Sequence, residues 1–61
     1  MPHFEAMALG VRGRLHAARG ALDLARADLD AAMAIFAELG SRPELDRSRA
    51  FAAGLADHRV G

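Results

Sequence analysis

The stretch FAELGSRPELDRSR, Phe36 to Arg49, sets a helix stop directly against a helix start, and this joint limits the fold more than any other feature of the chain. Gly40 can take the left-handed conformation that closes a helix at little steric cost. Ser41-Arg42-Pro43-Glu44 then reads as a capping box, in which the Ser41 hydroxyl accepts from the Glu44 N–H while Glu44 reaches back. A second stop, Gly20, lies one helix length earlier. Strands have little to be built from: the β-branched residues are Val11, Ile35 and Val60 and the aromatics are three Phe, whereas fifteen alanines favour helix. The expectation is an all-α chain of three antiparallel helices, at about residues 3–19, 21–39 and 42–58.

Periodicity assigns each helix a face. In the first, Phe4, Ala8, Val11, Leu15 and Ala18 recur at three- and four-residue steps and are expected to form a core stripe. Pro2 is acceptable in the opening turn, where its missing N–H has no intrahelical partner. Gly10 and Gly13 each cost about 1 kcal/mol against Ala inside a helix, which suggests close approach of a neighbour at both. In the second helix Leu22, Ala25, Leu29, Ala32, Phe36 and Leu39 form one stripe, with Leu24, Ala31 and Ile35 on a flank. A helix apolar on more than one side is expected to pack on more than one side. Its narrow polar remainder is Asp23, Arg26 and Asp30. Leu45, Ala52, Leu55 and Ala56, with Phe51 at the edge, form the apolar side of the third helix.

A single domain of 61 residues buries only about 60% of the surface its unfolded chain exposes, so outside support is expected. With no cysteine, disulfides and thiolate zinc sites are closed, leaving self-association, a larger parent protein of which residues 1–61 are a fragment, or an unusual imidazole–carboxylate metal site. Eight Arg balance eight acidic residues, which removes the long-range attraction used by nucleic-acid and anionic-membrane binders. Neither partner is expected. Zero net charge also lowers the barrier to self-association. No run reaches the ~18 to 20 apolar residues of a membrane span and MPHFEAMALG lacks a basic leader region, so a cytoplasmic protein is expected. The Ala-rich, lysine-free composition is one associated with GC-rich bacterial genomes.

The chain also repeats itself at a shift of 41 residues: Pro2 meets Pro43, Phe4 meets Leu45, Glu5 meets Asp46, Gly13 meets Gly54 and Gly20 meets Gly61. Gly13, six residues, Gly20-Ala-Leu-Asp-Leu-Ala25, then Leu29, Ala32 and AMAIFAELGSRPEL resemble the tetratricopeptide repeat (TPR). They resemble in particular its longer variety, roughly forty residues per unit, found in large bacterial transcriptional activators and cyclase-linked regulators. Leu9, Gly13, Gly20, Ala25, Leu29 and Ala32 fit the pattern's places. Arg12 and His16 depart from it, standing where apolar and aromatic residues are expected. The resemblance implies one helical hairpin plus the first helix of a second unit, a form that leaves Phe51 and Leu55 without a following helix.

Catalytic and metal chemistry are not expected. His3, His16 and His58 share no metal-binding spacing, and no cofactor is implied. The carboxylates Asp23, Asp28, Asp30, Glu38, Glu44, Asp46 and Asp57 read as solvent-facing or as complements to helix starts. Ser41 and Ser48 have no His–acid arrangement nearby, and Arg12, Arg14 and Arg19 scatter around their helix without a recognition-helix signature. The functional expectation is a non-catalytic protein–protein interaction module, regulatory, bound to a protein or peptide and forming a homodimer or higher homo-oligomer. The groove-facing places implied by the resemblance are Met7, Gly10, Arg14 and Ala17 on the first helix and Ser48, Phe51, Leu55 and His58 on the third, with Phe51 and Leu55 as anchors. The alternative is a free-standing regulatory protein, for example a transcription-related one, whose second and third helices build a dimeric bundle.

Overall fold

The computed structural model describes the backbone of residues 1–60 and the side chains of residues 1–55. It is all-α. Three helices, α1 (Pro2–Ala18), α2 (Leu22–Leu39) and α3 (Arg42–Val60), pack against one another, with α2 in contact with both neighbours. No helix among the described residues is long and apolar enough to cross a membrane.

Both joints are glycine-closed turns of the same construction. Gly20 and Gly40 have φ of 80° and 72°. The Gly20 N–H donates to the Ala17 carbonyl at 3.0 Å and the Ala21 N–H to His16 at 2.8 Å; Gly40 donates to Ala37 at 3.2 Å and Ser41 to Phe36 at 2.9 Å. These paired bonds satisfy carbonyls that the helix end leaves open and reverse the chain within three residues at the first joint and two at the second, so successive helices run antiparallel. The start of α3 differs from the expected capping box. Ser41 accepts the Leu45 N–H at 3.0 Å through its backbone carbonyl. Among the described residues the side-chain hydrogen bonds run from Arg12 to Asp28 and from Arg47 to the Pro43 carbonyl, so the Ser41 hydroxyl does not cap Glu44. Glu44 faces Arg47 at 3.9 Å instead.

The core lies along α2. Ala25, Leu29, Ala32 and Phe36 are buried as their spacing requires, while Leu39, assigned to the same stripe, is exposed past the reach of the neighbours. Leu24 and Ala31 on the flank also face solvent, and Ile35 is half-buried against the core. Ala6 of α1, Ala32 and Phe36 of α2 and Leu45 of α3 form the cluster that joins all three helices, and Ser48 and Ala52 continue the buried side of α3. Phe51 and Leu55 are half-buried; Ala56 lies outside the described side chains.

The expected core stripe of α1 is the main correction. Phe4, Ala8, Val11, Leu15 and Ala18 all face out, with Phe4 66%, Val11 58% and Leu15 55% exposed. The buried side is the opposite one, made of Ala6 and Gly13 with Leu9, Gly10, His16 and Ala17 partly covered. The reason is distance. A Cβ on Gly13 would meet the Ala25 carbonyl oxygen and Leu29 Cγ at 3.3 Å, so α1 lies close on α2 and only small residues fit between them. Gly10 has nothing within 4 Å of such a Cβ, so close approach explains Gly13 and not Gly10.

Candidate functional site

Two arrangements of side chains stand out, one inside the α1–α2 contact and one between α1 and α3. The first is polar. Asp28 of α2 is only 7% exposed, contrary to its expected solvent position, and it is held by Arg12 of α1. Arg12 Nε donates to Oδ2 and Nη2 to Oδ1, both at 2.9 Å, a two-pronged pairing of planar groups. His16, one turn after Arg12, places Nε2 3.6 Å from Oδ2, an ion pair only when the ring is protonated. The Arg12 hydrogen bonds hold the Asp28 carboxyl below the usual carboxylate range against the opposing effect of burial, and the same bonds raise the Arg12 guanidinium further. Every buried side-chain nitrogen and oxygen among the described residues has a partner. The trio is therefore a satisfied clasp, which joins the two helices beside Gly13.

The second arrangement is a pair of open clefts along the α1–α3 line. The first, about 220 Å³, lies between Met7, Gly10, Val11 and Arg14 on one side and Glu44, Arg47 and Ser48 on the other, with Ala6 and Phe36 at its floor. The second, about 590 Å³, runs on between Arg14 and Ala17 of α1 and Phe51, Gly54 and Leu55 of α3. Arg14 borders both, and its guanidinium carbon lies 5.7 Å from the centre of the Phe51 ring, a cation–π distance that ties α1 to α3.

No known protein family, curated protein or solved structure matches this chain. Its residues carry the functional reading by themselves.

Seven of the eight expected partner-binding residues line these clefts: Met7, Gly10, Arg14 and Ser48 the first, Arg14, Ala17, Phe51 and Leu55 the second. Their accessibility differs. Met7 and Arg14 are exposed, Gly10, Ala17, Phe51 and Leu55 half-buried, and Ser48 at 7% is floor rather than rim. His58 lies outside the described side chains. The Asp28 clasp was not expected. Its signal in the sequence is the pair that departs from the repeat pattern, Arg12 and His16, one turn apart on α1 and facing the single acidic position on the buried side of α2. Among the described residues no three His, Asp or Glu side chains gather as metal ligands do.

Proposed function

We propose that this chain is a non-catalytic protein–protein interaction module, built like one TPR-type hairpin and the first helix of a second, which binds a peptide or helix along the α1–α3 clefts and self-associates. The observation that carries the reading is the continuity of the two clefts past Arg14: apolar side chains from Met7 and Val11 to Phe51 and Leu55, with Glu44, Arg47 and Ser48 on the α3 side of the first cleft and Arg14 at the junction. Arg14 has no carboxylate partner among the described residues, so it suits a segment that brings an acidic side chain between apolar ones. The half-buried Phe51 and Leu55 supply anchoring area, since aromatic and aliphatic side chains seated in clefts dominate such interfaces.

Selection of peptides from a displayed random library tests the reading. The module should enrich apolar sequences with an interspersed Asp or Glu, and Phe51→Asp should abolish that enrichment while the helical signal persists. Equal enrichment by the variant would remove the clefts from binding. The alternative is a free-standing dimeric regulatory bundle, but the large apolar side chains left exposed lie mostly on α1 and not on the α2 and α3 expected to build it.

A further inference from the structure

The face of α1 turned away from α2 bears Phe4, Met7, Val11 and Leu15, exposed by 66, 48, 58 and 55%, with Met7 and Val11 also at the rim of the first cleft beside α3. Among the described residues three large side chains, Leu29, Phe36 and Leu45, are buried in the core, fewer than the large apolar groups that this one helix leaves in water. An uninterrupted stripe of this kind marks an interaction surface.

We infer that the stripe is covered by α1 of a second copy, running antiparallel about a two-fold axis at Val11. The inference rests on the self-association part of the proposed function and specifies its surface. The charges bordering the stripe choose the occupant. At 100° per residue, Glu5, Arg12 and Arg19 follow the margin next to α2, where Arg12 meets Asp28, and Arg14 follows the margin next to α3, where it meets Phe51. A two-fold axis across antiparallel helices brings the same margin of both copies together with the ends exchanged. Glu5 of each copy then comes close to Arg19 of the other, Phe4 sits against the small Ala18, Met7 against Leu15, and Val11 against itself. The antiparallel pair also sets Arg12 beside its own copy at the axis, where Asp28 already neutralises each; a parallel pair would bring Arg12 level with Arg14 twice and lose both Glu5–Arg19 contacts. The chain carries zero net charge, so no overall repulsion opposes pairing. One helix against one helix falls at the small end of specific interfaces, so the dimer forms at micromolar rather than nanomolar concentration.

Sedimentation velocity on the whole 61-residue chain, from about 1 μM to about 1 mM, tests this. The wild type should pass from monomer to dimer across that range. Val11→Glu, altered twice in each dimer, should weaken pairing about tenfold or more, and Leu15→Glu likewise, with circular dichroism unchanged at concentrations where both proteins are monomeric. Glu5→Arg should also weaken pairing, and Glu5→Arg with Arg19→Glu should recover it. A wild type that stays monomeric throughout overturns both the inference and the self-association reading. A dimer insensitive to Val11→Glu and Leu15→Glu overturns this surface and leaves self-association standing. Failure of the double charge exchange to recover pairing overturns the antiparallel arrangement.

Discussion

Asp28 shows how a single side chain can join two helices in a core too thin to do so with apolar contacts alone. Its carboxylate is buried, yet both oxygens accept from Arg12, whose own side chain is 61% exposed, so the cation keeps most of its hydration while the anion is fully paired. Because its carboxyl is held below the ordinary value of about 3.9, the clasp contributes stability that is complete above that value and is lost as pH falls through the depressed folded one. The difference in unfolding free energy between wild type and Asp28→Asn should therefore be constant above about pH 5 and shrink on acidification. Urea titrations at a series of pH values measure it, and a difference that grows toward acid would contradict the assignment. Two glycines make a second contrast. Gly10→Ala should stabilise by about 0.5–1 kcal/mol, because the added Cβ meets nothing. Gly13→Leu should destabilise by about 3 kcal/mol or more, since its side chain would enter the space occupied by Leu29 and the Ala25 backbone. Thermal melts of the two variants compare these directly.

At the scale of the helix, the ends were legible in the sequence and the faces only in part. Gly20 and Gly40 stop their helices because the reversal needs a left-handed residue, a local requirement visible without tertiary information. Gly40→Ala should cost about 1–2 kcal/mol, measurable by urea denaturation, and Gly40→Asn less, because the space around the Cβ is empty and only the backbone conformation is penalised. The buried face of α2 was equally legible, since Leu29 and Phe36 are large, apolar and correctly spaced. That of α1 was not. Hydrophobic periodicity follows the large side chains, Phe4, Val11 and Leu15, and here they point away while Ala6 and Gly13 are enclosed. A close helix contact selects for smallness, which carries little hydropathy signal. The positions expected to face a groove came only from the places that the tetratricopeptide resemblance implies, whereas the Asp28 clasp was hidden by the ordinary expectation that an aspartate on a helix faces water.

For the whole molecule, the balance of apolar groups is the governing fact. Among the described residues four of the seven buried apolar side chains are alanines, while Phe4, Met7, Val11, Leu15, Leu24 and Leu39 remain in solvent. A chain of this size has little stability to spare, and covering one face of α1 adds hydrophobic burial that the isolated fold lacks. In the proposed pairing folding and association are linked, and stability would depend on concentration. The most direct test is the melting midpoint of the wild-type chain, followed by circular dichroism over about a hundredfold range of protein concentration. The account predicts a midpoint that rises with concentration in the wild type and is flat in Val11→Glu. A wild-type midpoint independent of concentration, in a chain that sediments as a folded monomer, would contradict it.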